Sequence, residues 1–110
     1  MNDQLRDLYV VDRVIHEPAR LVIVSLLSGV SEADFVFLLR ETGMSKGNLS
    51  SHLAKLETAG YIAVEKTYRG KIPLTICRLT DAGKSALDTY RESMKKSLFP
   101  ARTVVKLLPA

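Results

Sequence analysis

The chain has 110 residues, of which 46% are hydrophobic and 25% charged, so it is long enough for one domain with a real core. No apolar run reaches the roughly 18 residues of a membrane span, and the first residues lack the apolar stretch of a secretion signal. The single cysteine, Cys77, has no internal partner for a disulfide. These features favour a reducing, cytoplasmic setting with no membrane partner.

The net charge of +4 is unevenly distributed along the chain. Between Ser45 and Leu79 there are six basic and two acidic residues, whereas the rest of the chain has equal numbers of each. A localised excess of positive charge is the electrostatic sign of a polyanion partner, although an ordinary solvated surface gives the same pattern by chance. Charge alone leaves both interpretations open.

The first part of the chain predicts two helices. Leu5 and Leu8 indicate a short N-terminal helix that ends before Pro18. Pro18 fits the first turn of a second helix, which extends to about Leu27 and stops at Gly29. Because this helix carries apolar side chains on more than one side, we expect it to be largely buried.

A third helix is expected to begin at a cap on Ser31, with Asp34 as an acid in its first turn. Its expected core residues lie at positions i, i+3 and i+4: Phe35, Leu38 and Leu39. Phe37 sits on the opposite side, about 200° round from Phe35 at ~100° per residue. Either this helix is buried on two sides or Phe37 meets another chain.

The stretch from Gly43 to Tyr68 is the most informative part of the sequence. Ser45 is a good N-cap, and Gly60 is a natural C-terminal stop for the helix between them. Leucines at i, i+4 and i+7 share one face of that helix: Leu49, Leu53 and Leu56. The other faces carry small or hydrogen-bonding residues and two cations: Lys46, Gly47, Asn48, Ser50, Ser51 and Lys55. Such a face suits the DNA major groove, because long apolar groups would block hydrogen bonds to base edges.

Two β-prone segments follow, the first from Ile62 with alternating apolar and polar residues and the second from Leu74 to Leu79. The connection between them, residues 69–73, has a glycine for the turn and two cations at its tip, Arg69 and Lys71. Pro73 cannot donate to a ladder, which suits the edge of a two-stranded ribbon.

A last helix is expected after the cap residue Thr80 and before Pro100. Its apolar residues, spaced 3, 4 and 4 apart, form one stripe: Leu87, Tyr90, Met94 and Leu98. A terminal helix on a domain this small has little core left to cover, so the stripe predicts contact with a second chain, helped by Leu5 and Leu8. The predicted organisation is one domain over residues 1–99, with both terminal helices in the dimer contact, followed by a tail over 100–110.

The run GNLSSHLAKLETAGYIAVEK resembles the recognition helix and first wing strand of winged helix-turn-helix repressors, most closely the small single-domain branch near the MarR and ArsR families. Downstream, Leu79-Thr80-Asp81-Ala82-Gly83 matches the LT-x-x-G opening of their last helix, and the likeness covers roughly residues 12 to 95. The resemblance implies a mainly α fold with a small antiparallel β ribbon: a winged helix-turn-helix with added N- and C-terminal helices.

The resemblance also implies a homodimeric transcriptional regulator, with a repressor as the expected form, that binds double-stranded DNA sequence-specifically. Asn48 and Ser51 would read base edges, while Lys46 and Lys55 anchor phosphates. The wing cations would reach the flanking backbone or the minor groove. The complete set of expected DNA-binding residues is Ser45, Lys46, Asn48, Ser50, Ser51, Lys55, Arg69 and Lys71. The expected dimer interface is Leu5, Leu8, Leu87, Tyr90, Met94 and Leu98.

Catalysis and metal binding are not expected. The soft or borderline ligands are His16, His52 and Cys77, which do not cluster at ligand spacing, and no phosphate-loop pattern appears. We therefore expect no enzyme activity, no metal and no cofactor. A small-molecule effector is compatible with the resemblance but has no support in the sequence. The alternative function is a winged-helix module for protein–protein contact in a transcription complex, served by Phe37 and the tail.

Overall fold

The computed structural model describes residues 3–99 and 108–109, and it confirms a mainly α fold with an antiparallel sheet. Most of the predicted tail lies outside the described residues. Helix α1 (Asp3–Arg6) continues into a 3-10 helix (Asp7–Val10), so the predicted short N-terminal helix is present. The later elements are α2 (Pro18–Ser28), β1 (Ala33–Asp34), α3 (Phe35–Thr42), α4 (Lys46–Thr58), β2 (Ile62–Arg69), β3 (Ile72–Leu79) and α5 (Asp81–Leu98).

The sheet has three strands in the order β1-β3-β2, whereas a two-stranded ribbon was expected. The added strand pairs Ala33 with Cys77, which keeps the chain extended where a helix cap was predicted at Ser31. That prediction is wrong because the helix begins later, at a cap on Asp34. The Asp34 carboxylate accepts the backbone N–H of Phe37 at 2.8 Å.

The ribbon formed by β2 and β3 is longer than predicted. Pairing runs from Ile62 opposite Leu79 to Arg69 opposite Ile72, leaving a turn of two residues, Gly70 and Lys71. Gly70 has φ +62°, a left-handed conformation that favours glycine. The expected wing is therefore present, with its cations at the end of the ribbon.

The core lies where α2, α3, α4 and α5 meet the inner face of the sheet. All three α4 leucines are buried, as predicted, and each such burial stabilises the fold by ~1.5–3 kcal/mol. Helix α2 is less enclosed than expected, because Val22 is exposed. On α3, Phe37 and the neighbouring Val36 are exposed, so this helix is not buried on two sides.

Helix α5 covers more of the domain's own core than its position in the sequence suggested. Leu87 is 1% exposed and Tyr90 is 7% exposed, and the Tyr90 hydroxyl lies 2.9 Å from Nδ1 of His16. Little of these two side chains is left for the dimer interface predicted for them, because both already pack inside this chain. Further along the stripe Met94 is half-buried, and Leu98 is 54% exposed.

Candidate nucleic-acid interface

The junction between α3 and α4 is a tight turn with glycine at its start. Gly43 has φ +68°, and its N–H donates to the Leu39 carbonyl at 3.1 Å, which ends α3. Ser45 then caps α4, as predicted, with its hydroxyl accepting the backbone N–H of Asn48 at 3.2 Å. This turn gives the helix–turn–helix arrangement and fixes where α4 begins.

The outward face of α4 is built from small side chains. Opposite the three buried leucines, residues at i, i+4, i+7 and i+11 are all exposed: Gly47, Ser51, Ala54 and Thr58. No long side chain projects from this line. A surface of this shape can approach another molecule closely along most of the helix.

Polar and cationic side chains flank that line on both sides. Asn48 and Lys55, at i and i+7, are exposed on one side of the line, next to Ser51 within it. Lys46 and Ser50 are exposed on the other flank. All eight predicted DNA-binding residues, including the two in the wing, are therefore open to solvent.

The C-terminal end of α4 leads directly into the wing. Gly60 has φ +80°, its N–H donates to the Glu57 carbonyl at 2.9 Å, and the Tyr61 N–H donates to the Leu56 carbonyl at 3.0 Å. This pair of bonds is a Schellman motif, which closes the helix and turns the chain within two residues. The wing is thereby held at a fixed angle to α4.

The wing tip combines cations with exposed apolar side chains. Arg69 and Lys71 are exposed at the turn, and Lys66 is exposed further down β2. Tyr68 and Ile72 are also exposed beside the turn, a feature that the sequence analysis did not single out. Both residues fit the ordinary alternation of side chains along a strand, so the sequence did not indicate that they would be exposed.

Arg78 contributed to the basic excess in the sequence but is not a free cation. Its Nη2 lies 2.6 Å from the Glu65 carboxylate and its Nε 3.1 Å from that of Glu32. The hydrogen bond to Glu65 is the main reason that the pKa of Arg78 is raised. Its charge is therefore balanced within the sheet.

A polar cluster ties the start of α2 to the middle of α4. The Arg20 guanidinium donates through Nε to the Val14 carbonyl at 2.7 Å, and its Nη1 lies 3.2 Å from Nδ1 of His52. The Glu17 carboxylate caps α2 by accepting the Arg20 N–H at 2.8 Å. Partial burial acts to raise the pKa of Glu17, but backbone N–H donors and the charges of His52 and Arg20 outweigh it and lower that pKa. His52 is thus a structural link that orients α4.

Beside this cluster lies an open cleft of about 510 Å³. Its lining is mostly apolar, from Val14 and the second half of α4, with Arg13 and Lys55 among its cations. Arg13 is exposed and was missed by the sequence analysis, because it lies between helices where no periodicity marks it. It adds a positive charge beside α4.

The three residues considered for catalysis or metal binding are engaged separately: His16 with Tyr90, and His52 with Arg20 and Glu17. Cys77 is buried in β3, and burial, with the charge of Glu57, raises the pKa of its thiol to about 11. Within residues 3–99 and 108–109, no group of three or more His, Cys, Asp or Glu side chains is placed to hold a metal ion. None of the helices in the described part of the chain has the length and hydropathy that crossing a bilayer requires.

Comparison with known proteins agrees with this geometry. A family model described as a winged helix DNA-binding domain matches residues 19–98. An uncharacterized protein of Methanocaldococcus jannaschii is 30% identical over 79 residues, which cover 71% of this chain and 85% of that protein.

Solved structures show the same fold. A transcriptional regulator homologue from Pyrococcus horikoshii OT3 superposes with a TM-score of 0.80 at 25% identity, covering 88% of this chain and 95% of that one. Bacillus subtilis PadR, solved in complex with operator DNA, matches with a TM-score of 0.61 at 18% identity, covering 86% of this chain and 54% of PadR. The predicted winged helix-turn-helix fold is confirmed, and the family that matches is one of DNA-binding domains, not of enzymes. The chain belongs to the winged helix DNA-binding domain family.

Proposed function

We propose that this protein is a homodimeric transcriptional repressor that binds double-stranded DNA sequence-specifically and competes for access to promoters. The observation that carries the proposal is the outward face of α4, where small, polar and cationic side chains lie opposite three buried leucines. An α-helix with such a face fits the major groove, which is wide enough to admit it. Bacillus subtilis PadR, which shares the fold, was solved in complex with operator DNA, and this supports DNA as the partner. Because chromosomal DNA is the partner, the proposed location is the cytoplasm.

In this proposal the residues divide into two groups by the type of contact. Asn48 and Ser51 read base edges from the major groove, and the Asn48 amide suits adenine. The other α4 residues and the wing contact the backbone and set register without reading sequence: Ser45, Lys46, Ser50, Lys55, Arg69 and Lys71. Exposure of all eight side chains supports the assignment.

The homodimer completes the proposal by placing two α4 helices about 34 Å apart, one turn of DNA. The surface we propose for this contact is the apolar end of α5 with the N-terminal helix that packs beside it: Leu5, Leu8, Met94 and Leu98. Leu5 and Leu98 are exposed, and Leu8 and Met94 are half-buried, so each has surface that association can still bury.

The direct test is selection of duplexes from a fragmented genomic library, followed by gel shifts with the selected duplex and a scrambled one at two salt concentrations. We expect a selected sequence with two half-sites and weaker binding at the higher salt, since binding to phosphates releases counterions. Enrichment of no sequence, together with no retention of any duplex at low salt, would overturn the proposal.

That failure would favour the second candidate function, a module for protein–protein contact within a transcription complex. The observation on its side is the exposed apolar surface of α2 and α3 at Val22, Val36 and Phe37. Adjacent exposed apolar side chains, such as Val36 and Phe37, are typical of protein interfaces. Substituting Val36 and Phe37 by serine should then abolish partner binding and leave any DNA binding intact.

A further inference from the structure

Gly47 occupies the second position of α4, and the described part of the chain gives no reason for a glycine there. Its φ does not lie in the left-handed region, unlike those of Gly43, Gly60 and Gly70. A β-carbon built at Gly47 would meet no atom within 4 Å other than those of its chain neighbours and the nearby backbone of α4. The fold therefore leaves open space at this position, and any small L-residue would fit it.

Glycine at this position also weakens the helix that carries the binding face. It loses more conformational freedom on folding than any other residue, so alanine is favoured in a helix that has room for a β-carbon. At Gly83, by contrast, a β-carbon would overlap the backbone carbonyl of Tyr61 and approach Leu79 Cδ1 at 2.7 Å, so packing explains that glycine. Glycine at position 47 therefore lowers the stability of α4 relative to alanine, and no packing contact within the described residues requires a glycine there.

We propose that Gly47 is a positioning residue for DNA: it lets the backbone of α4 approach the duplex more closely than any side chain would permit. The inference rests on the proposed function and deepens it. Gly47 is exposed on the outward face of α4, between Lys46 and Asn48 in sequence. A methyl group there would hold the start of the helix away from the groove. The distance from the Asn48 amide to a base edge would then increase.

The test compares Gly47→Ala with Gly29→Ala. Gly29 ends α2 and is not among the predicted DNA-binding residues; it has φ −93°, and its β-carbon would make only an ordinary contact with the Leu26 carbonyl, at 3.7 Å. We expect Gly47→Ala to melt a few degrees above wild type and to bind the selected duplex on the order of tenfold more weakly, as when one bidentate bond to a base is removed. Gly29→Ala should bind DNA as wild type does. Gly47→Leu should bind more weakly than Gly47→Ala.

Two results with Gly47→Ala would overturn the inference. Wild-type affinity in Gly47→Ala would overturn it, because a β-carbon would then fit between helix and DNA. A lower melting temperature or reduced helix content in Gly47→Ala would also overturn it, since the glycine would then be needed inside the chain. Failure of the proposed function itself would give a different result: the wild-type protein would enrich no sequence from the library and retain no duplex.

Discussion

The backbone carbonyl oxygen of Tyr61 occupies the space where Gly83 would otherwise carry a β-carbon, so α5 lies directly against the start of the wing. The same carbonyl accepts the N–H of Thr80 at 3.0 Å. The Thr80 hydroxyl donates to the Gly60 carbonyl at 2.6 Å and accepts the Gly83 N–H at 3.0 Å. The residues Leu79-Thr80-Asp81-Ala82-Gly83 thus form the junction between the end of α4, the wing and α5.

Gly83→Ala should destabilise the fold strongly. Its methyl group would overlap the Tyr61 backbone, and neither α5 nor β2 can move without breaking the Thr80 bonds. Overpacking of this kind costs typically about 1–3 kcal/mol, and we expect the upper end. Urea unfolding gives the free energy of unfolding, with Gly29→Ala as a matched control that should change it little. Wild-type stability in Gly83→Ala would show that α5 is not held at this joint.

Tyr61 and Asp12 should make stability depend on alkaline pH. The Tyr61 hydroxyl donates to the Asp12 carboxylate, and this bond, with burial and the negative charge, raises the pKa of Tyr61 to about 12. The folded state therefore holds the phenol proton more tightly than the unfolded state, whose pKa is ~10. The contribution of this group to stability is complete below about pH 10 and is lost as the pH rises from 10 towards 12.

Tyr61→Phe isolates this contribution. The variant should be less stable by ~1.5–3 kcal/mol at neutral pH, because it lacks one hydrogen bond to a charged group. Its stability should then fall less steeply than wild type above about pH 10, so the two curves converge. The measurement is urea unfolding across the alkaline range, with Tyr68→Phe at the exposed wing tip as the control. A constant difference between wild type and Tyr61→Phe at every pH would rule out the coupling.

Local signals in the sequence predicted the parts of the fold that short-range physics determines. The cap at Ser45, the leucine face of α4 and the stop at Gly60 each depend on residues within four positions, and all three are present. The wing follows from alternation and one glycine. These features define most of the candidate DNA-binding face. All eight residues predicted for that face are exposed.

The features that the sequence did not predict depend on contacts between residues that lie far apart along the chain. A two-residue strand such as Ala33–Asp34 has no period of its own and exists only because β3 lies beside it. An apolar stripe looks the same whether it packs inside the chain, as Leu87 does, or against a partner. Likewise, Arg78 counts as a cation in sequence until Glu32 and Glu65 are seen beside it.

The proposed homodimer is tested at the exposed end of α5. Leu98→Glu should shift the protein to monomer, because the carboxylate would have to be desolvated in the contact. Tyr90 is unsuitable for this test, since it is buried in the core and its substitution would destabilise the fold. Sedimentation should give twice the chain mass for wild type at micromolar concentration. Val36→Glu, an exposed apolar position on α3, is the control and should remain dimeric.

Asn48→Ala should reduce sequence discrimination. If its amide makes a bidentate contact with a base, the loss is ~1–3 kcal/mol per half-site, measured as the affinity for the selected duplex relative to a scrambled one. Ser51→Ala should have a smaller effect, because a single hydroxyl makes a less discriminating bond. Both side chains are exposed, so melting temperatures should change little. Unchanged discrimination in both variants would mean that this side of α4 does not read bases.

The wing should contribute affinity without sequence preference. Arg69→Ala and Lys71→Ala should each weaken binding to selected and scrambled duplexes alike, because bonds to phosphates carry no sequence information. The slope of log K against log salt should become shallower by ~1 for each phosphate that the variant no longer neutralises. A dimer in which each chain neutralises about three or four phosphates should start from a slope of roughly −5 to −7. Gel shifts or fluorescence anisotropy over a range of salt concentrations give these slopes.

Arg78→Ala is the control that separates a direct bond to phosphate from the general effect of removing a positive charge. Arg78 lies in the same sheet but is paired with Glu65 and Glu32, and its removal lowers the net charge by the same amount. If direct bonds to phosphate determine the slope of log K against log salt, Arg78→Ala should leave the slope unchanged and Arg69→Ala should make it shallower. Equal effects in the two variants would mean that the wing acts only through long-range charge. No effect from Arg69→Ala and Lys71→Ala together would place the wing away from DNA.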